Sequence, residues 1–324
     1  MTNWLLSSGG RRGALVKILR GIGEGTDRVS VIDNSRLSAA GMLADDFGQV
    51  PKVSDPRFCS AVLEYARKFN TDVIIPTIDP EIEVYARNID LFRSAGIDVW
   101  VSSPEVARLG FDKWLLFKWL RQHKFPTMAT VEAAHAMSVD WEGPSVAKPR
   151  NGSSSVGVIY SETPQELHRR NLAPDYIVQP RIVGAEVTVD FAVNRKGRCL
   201  GVVPRRRLET RGGEVSKGVT VFSKEIISLT EAVAEALPGA YGVLNLQLFY
   251  DHNSGDLSIL EINPRFGGGY PLAHASGGDL VSALLHSEAA GHPKTLQWRP
   301  GTVMLRYDES VIFADDRFGV NPWH

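Results

Sequence analysis

The first hundred residues alternate short apolar runs with helix-length stretches, a rhythm that confines them to a parallel sheet flanked by helices. The runs are Trp4-Leu5-Leu6, Val29-Ser30-Val31-Ile32 and Val73-Ile74-Ile75, and the stretches between them span 13–22 and 57–69. A helix over 81–95 and a strand over 97–101 complete the layer, which ends where Ser103-Pro104 opens a new segment.

That layer reads as Rossmann-like. Gly9-Gly10-Arg11-Arg12-Gly13 follows the first strand, where a glycine-rich turn can present N–H groups to an anion at a helix start. It lacks the full Gly-x-Gly-x-x-Gly spacing, and Asp33 stands alone as a ribose ligand, so a structural turn is the stronger reading. Asp79-Pro80-Glu81 is read two ways, as an ordinary helix start or as carboxylates turned to a substrate.

From Asp112 the pattern changes to a compact α+β lobe. It holds a helix to His123, a strand over 145–148, the small-residue loop 151–155 and a strand over 156–160. Thr163-Pro164-Gln165-Glu166 carries the Thr, the early proline and the Glu of a capping box, and Tyr176-Ile177-Val178-Gln179 returns as a strand. Beyond Gly184 several segments alternate with period two, as in Val187-Thr188-Val189-Asp190-Phe191, the signature of antiparallel sheet. The expected organisation is α/β followed by α+β, with boundaries at 1–103, 104–183 and 184–324.

A chain of 324 residues exceeds the size at which one core stops growing, and 43% hydrophobic with 23% charged residues is ordinary globular composition. A formal net charge of -1 gives no overall attraction to nucleic acid or an anionic membrane, and no apolar run is long enough to span a bilayer. The dense cationic cluster is Arg205, Arg206, Arg207 and Arg211. Cys59 and Cys199 are far apart and lack partners at metal-ligand spacing, so neither a disulfide framework nor structural zinc is expected, and a reducing, cytoplasmic setting is the default.

The chemistry concentrates in 242–269. A strand ending at Tyr250 and another over 257–263 flank Asp251-His252-Asn253-Ser254-Gly255, a hairpin signature. Glu261 and Asn263 are two apart and share a face, and folding the hairpin symmetrically about Ser254 brings Gln247 opposite Glu261. Carboxylate and amide oxygens suit magnesium, which keeps water and takes further ligands from nucleotide phosphates. Leu260 and Ile262 are expected to face an apolar core. Arg265 and Gly267-Gly268-Gly269 follow at once, and a guanidinium there can bind developing phosphoryl charge.

The run Glu261-Ile262-Asn263-Pro264-Arg265-Phe266-Gly267-Gly268-Gly269 resembles the metal-binding signature of ATP-grasp enzymes. It is most similar to the branch containing the carbamoyl phosphate synthase large subunit and the pyrrolysine-pathway ligase. The resemblance implies an ATP-grasp fold of two subdomains behind a Rossmann-like preATP-grasp domain. It implies that Glu261 and Asn263 bind magnesium with help from Gln247, and that Arg265 binds the transferring phosphoryl group. Lys148, in Val146-Ala147-Lys148-Pro149, and Lys113 match the family's nucleotide-facing basic positions. Ser153, Ser154 and Ser155 fall in the loop that closes over the triphosphate, Gln179 in the adenine hinge, and Glu186 at the ribose. Arg211 and Lys217, among Gly212, Gly213 and Gly218, are favoured as cations facing the acceptor carboxylate or the acyl phosphate, in what reads as an active-site loop.

The implied reaction uses ATP and magnesium, two ions by family habit with manganese able to substitute. It activates a small carboxylate as an acyl phosphate and couples it to an amine, and a homodimer is compatible with the family. Phosphorylation of bicarbonate or carbamate is the enzymatic alternative. A nucleotide-binding regulator without catalysis is the alternative from another class.

Overall fold

The structure, a computed structural model, describes residues 1–23, 25–152, 156–182, 184–292 and 296–312. The chain divides into two compact units, Met1–Val101 with the described residues from Arg306 onward, and Ser102–Leu305.

The first unit runs β1 (Asn3–Ser7), α1 (Gly13–Ile22), β2 (Arg28–Asp33), α2 (Ala39–Leu43), β3 (Asp46–Gln49), α3 (Phe58–Lys68), β4 (Val73–Pro76), α4 (Asp79–Arg87), α5 (Ile89–Arg93) and β5 (Asp98–Val99). The strands form one parallel sheet in the order β3-β2-β1-β4-β5. Trp4, Leu5 and Leu6 are completely buried on its central strand, the burial on both faces that parallel strands require. The expected helix over 81–95 is two helices meeting at Asn88, and the last strand is shorter than 97–101. The polar edge strand β3 carries no apolar run that would have announced it, and α2, five residues long, is too short to show a helical period.

In each ambiguous motif region one carboxylate has a structural role. Asp33 accepts a hydrogen bond from the Gly10 N–H at 2.8 Å and from the Ser35 N–H at 3.1 Å, so its carboxylate closes the glycine turn. Glu81 is fully buried and accepts from the Ser7 hydroxyl at 2.7 Å, the Ser8 hydroxyl at 3.0 Å, and the N–H groups of Thr77 at 2.6 Å and Ile78 at 3.3 Å. It ties β1 to the start of α4 and faces no substrate. Burial pushes its carboxyl up to about 7, against the pull of those four donors.

The second unit opens with α6 (Pro104–Phe111) and α7 (Lys113–Gln122), capped by the side chains of Ser103 and Asp112. The small lobe follows: β6 (Val131–Glu132), a 3₁₀ turn (Ala133–Ser138), β7 (Ser145–Pro149), β8 (Ile159–Ser161), α8 (Pro164–Arg169) and β9 (Tyr176–Pro180), with sheet order β6-β9-β7-β8. β8 starts later than expected because Val156 and Gly157 form a turn. The capping box at Thr163 is half realised. The Thr163 hydroxyl accepts from the Glu166 N–H, but the Glu166 carboxylate reaches back to Ser161 and Glu162.

A six-stranded antiparallel sheet completes the unit, from β10 (Ala185–Val193), β11 (Cys199–Arg211) and β12 (Glu214–Thr220), then α9 (Lys224–Ala236), β13 (Gly242–Tyr250), β14 (Leu257–Asn263), α10 (Tyr270–Ala275), α11 (Leu280–Ala290) and β15 (Val303–Leu305). Its order is β14-β13-β10-β11-β12-β15. Val187, Val189, Phe191, Leu244, Leu246 and Ile262 bury one face in a core shared with α6, α7 and α9. The opposite face carries the polar residues of the site.

Candidate active site

Sheet register assembles that polar face. Directly opposed residues of antiparallel strands project to the same side. Asn263 opposes Asn245, which opposes Asp190. Two residues along, Glu261 opposes Gln247, Gln247 opposes Thr188, and Thr188 opposes Arg205. Period-two alternation then brings Glu186 and Arg207, neighbours of Thr188 and Arg205, onto the same face. Glu261 and Gln247 therefore stand opposite each other, as symmetry about Ser254 predicts.

The pairing slips by one between Gln247 and Leu248, so that Leu248 opposes Ile259. Leu260 is the extra residue of this β-bulge. It is half-buried, not a core residue as alternation suggested; Ile259 and Ile262 fill the core instead.

Burial deepens across the face. The Glu186 side chain is 32% exposed, whereas Thr188 and Asp190 are buried. Asn263 donates to the Asn245 Oδ1 at 3.1 Å and to the Glu261 Oε1 at 3.3 Å, and Asn245 donates to the Arg265 carbonyl at 3.0 Å. These bonds tie the two candidate metal ligands to each other and fix the backbone that aims Arg265. Asn245 was legible in principle, since it lies two residues before Gln247 on the same strand.

Among the described residues no group of three or more His, Cys, Asp or Glu converges to hold a metal. The oxygen donors on the sheet are instead one carboxylate, Glu261, and the amides of Asn263 and Gln247. That sparse set fits magnesium, whose coordination is completed by water and phosphate oxygens, better than a metal needing a full protein cage. The Gln247 Oε1 already accepts from the Arg207 guanidinium at 3.2 Å.

The cationic cluster separates into three environments. Arg205 is buried and donates through Nε to the Asp190 Oδ2 at 2.6 Å. Arg207 bonds both Glu186 and Gln247. Arg211 and Lys217 lie on exposed parts of the β11–β12 hairpin, and Lys217 pairs with Glu209 at 2.6 Å. The stretch read as an active-site loop is thus paired strand up to a two-residue turn at Gly212-Gly213. The glycines there serve the turn, and glycines around a cation are no sign of a ligand.

In the small lobe, Asp112 caps α7 by accepting from the N–H groups of Trp114 and Leu115, and it also takes two hydrogen bonds from Arg150. Burial opposes its ionisation, yet Arg150 and the helix N–H groups hold its carboxyl below the usual range. This clamp sets Lys113, whose ammonium donates to the Gly152 carbonyl at 2.7 Å. Lys148 lies on β7, one residue before its end. Burial lowers its pKa to about 8, partly offset by the Glu261 and Glu186 carboxylates and reinforced by Lys113. Lys148 thus feels charged residues from both lobes of the unit.

Gln179 is buried on β9 and donates to the Thr130 hydroxyl at 2.8 Å, leaving its own Oε1 buried without a partner. The β6 ladder stops at Val178, so the Gln179 backbone has no strand on that side. Ser153, Ser154 and Ser155 lie outside the described residues.

Family models match most of the chain: residues 4–100 match the model described as PylC-like, N-terminal domain, and residues 111–269 the model described as ATP-grasp domain. No curated protein matches by sequence. Among solved structures, the chain is similar to Rhizobium etli pyruvate carboxylase at 18% identity and TM-score 0.67, over 88% of this chain and only 28% of that one. It is similar to the biotin carboxylase domain of Hydrogenobacter thermophilus 2-oxoglutarate carboxylase, solved with MgADP, ADP and bicarbonate, at 17% identity and TM-score 0.69 over 91% and 71%. It is also similar to Bacillus licheniformis L-amino acid ligase at 16% identity and TM-score 0.66 over 89% and 74%. Such identities speak for the fold. No helix among the described residues is long and apolar enough to cross a membrane. With its signature run on β14 and both domain models matched in order, the chain belongs to the ATP-grasp superfamily, its ATP-grasp domain preceded by a PylC-like N-terminal domain.

Proposed function

We propose that this protein is an ADP-forming ligase that uses ATP and magnesium to activate a carboxylate as an acyl phosphate and couples it to an amine. The observation that carries the reading is the opposed pairing of Glu261 with Gln247 and Asn263 with Asn245, which sets carboxylate and amide oxygens beside Arg265. Lys148 stands within electrostatic reach of Glu261 and Glu186.

On this reading the lobe at 104–183 supplies Lys113, Lys148 and the Gln179 hinge. The lobe at 184–324 supplies Glu186 for the ribose and Glu261 and Asn263 for the metal. Bound magnesium neutralises phosphate charge. A carboxylate oxygen attacks the γ-phosphorus, the new O–P bond replaces the bond to ADP, and Arg265 steadies the charge on the transferring group. The amine then attacks the acyl carbon, the C–N bond forms as phosphate leaves, and the amine gives up its proton. The half-buried position of Arg265, with its backbone held by Asn245, suits a group that acts on a fixed target.

The likeness to L-amino acid ligase favours an amino acid as one substrate. The likeness to a carboxylase domain solved with bicarbonate supports the second reading, bicarbonate as the activated acid. One assay separates them. ADP release is measured with magnesium against amino acids, other carboxylates and bicarbonate, each with hydroxylamine present. Organic acid-dependent release with hydroxamate formation is expected. Release with bicarbonate alone favours the second reading, and AMP with pyrophosphate as products refutes both.

A further inference from the structure

Arg207 makes a three-way junction on the polar face. Its Nη1 donates to the Glu186 carboxylate and, at 3.2 Å, to the Gln247 amide oxygen. Its Nη2 donates to the Gly213 carbonyl at 2.9 Å. The side chain is 12% exposed, and its Nε is buried without a partner. One guanidinium therefore joins the start of β10, the middle of β13 and the turn between β11 and β12.

A guanidinium is planar, permanently charged and able to hold several acceptors in fixed directions, which an ammonium cannot do. A carboxylate with one oxygen held this way keeps lone pairs on the other for a ligand hydroxyl, with little orientational freedom left to lose on binding.

We propose that Arg207 is the positioning residue of the nucleotide site, fixing Glu186 for the ribose hydroxyls. This deepens the nucleotide reading above and rests on it. Arg207 sets the ribose preference of the site through Glu186.

The experiment is titration calorimetry of MgADP and Mg-2′,3′-dideoxy-ADP with the full chain, for the wild type, Arg207→Lys, Arg207→Met and Glu186→Gln. The wild type is expected to prefer ADP by about tenfold or more, because hydrogen bonds to a charged group are the strong ones. Glu186→Gln and Arg207→Met reduce that preference to about twofold, and Arg207→Lys, which keeps the charge without the fork, loses at least threefold of it. The Arg207→Met/Glu186→Gln double variant loses no more than Glu186→Gln alone. If Arg207→Met does not fold, Arg207→Lys carries the test. Full ribose preference in Arg207→Lys, while Glu186→Gln has lost it, overturns the role of Arg207 and leaves the nucleotide reading standing. No ADP binding by the folded wild type overturns both.

Discussion

Gly269→Ala tests whether the glycine run after Arg265 exists for the buried ion pair behind it. A Cβ at Gly269 would lie 2.3 Å from the Arg205 Nη1, 2.5 Å from its Cζ and 2.8 Å from the Val215 Cγ1. Those separations are far inside van der Waals contact, so one side must move. Arg205 is 3% exposed and Asp190 0%, and the 2.6 Å bond between them anchors the guanidinium. Overpacking a well-packed site costs about 1–3 kcal/mol. Breaking a buried pair costs about 3–5 kcal/mol. An expected loss of about 3 kcal/mol assumes that the guanidinium yields without leaving Asp190 entirely. Gly267→Ala is milder, at about 1–2 kcal/mol, because its Cβ would stand 2.9 Å from the Arg205 Nη2 and 3.1 Å from the Asp190 Oδ1. Gly255→Ala is the control: its φ is +79° but nothing lies within 4 Å of the added carbon, so only the backbone penalty of about 1 kcal/mol applies. Urea unfolding, read through hydrogen exchange of β10, β13 and β14 amides, measures the three variants. If Gly269→Ala loses no more than Gly255→Ala, Arg205 does not fill the space behind the glycines.

Three further outcomes are expected. Glu261→Gln should lower magnesium-dependent turnover by about two orders of magnitude or more, the scale of losing a group that stabilises transition-state charge, and a variant with unchanged turnover removes Glu261 from the metal. Lys148, with its pKa lowered to about 8, is charged below that pH and neutral above it, so ADP affinity should weaken as pH rises past about 8; calorimetry at pH 6.5 to 9.5 should find that slope flattened in Lys148→Arg. The carboxyl of Glu81 is raised from 4.5 to about 7 in the folded chain, so its contribution is full below 4.5 and is lost as pH rises through 7, by about 3 kcal/mol over that window. Thermal melts of Glu81→Gln between pH 4.5 and 8 should lack this decline in the first unit, and a parallel decline in both proteins rejects the buried acid.

The apolar runs made the central strands of both units legible, because a buried strand must be written in apolar residues. Glu261 opposite Gln247 was legible too, since a hairpin fixes register from its turn. The polar edge strand β3 was not, because its residues need no core and leave no pattern. Arg205 and Arg207 looked like one charge run with Arg206, Arg211 and Lys217. Their different fates depend on which residues lie alongside: Asp190 and Glu186 come from β10, and the β10–β11 hairpin slips register between Ala192 and Val193, so counting back from its turn misplaces the partners. Alternation also misread Leu260, because a bulge resets the count by one residue without any marker in composition.

That bulge separates the hairpin into two mechanically distinct parts. On the core side of Leu260, the pairs that carry Asn245, Gln247, Glu261 and Asn263 are locked to β10 and to one another. On the far side, the exposed turn 251–256 hangs from a register that has already slipped, and lengthening or shortening it there need not propagate back through the ladder. The tip of this hairpin is accordingly a place where an affinity tag or a fluorophore can be spliced into the chain, reporting on the strand that bears the signature while leaving its spacing intact.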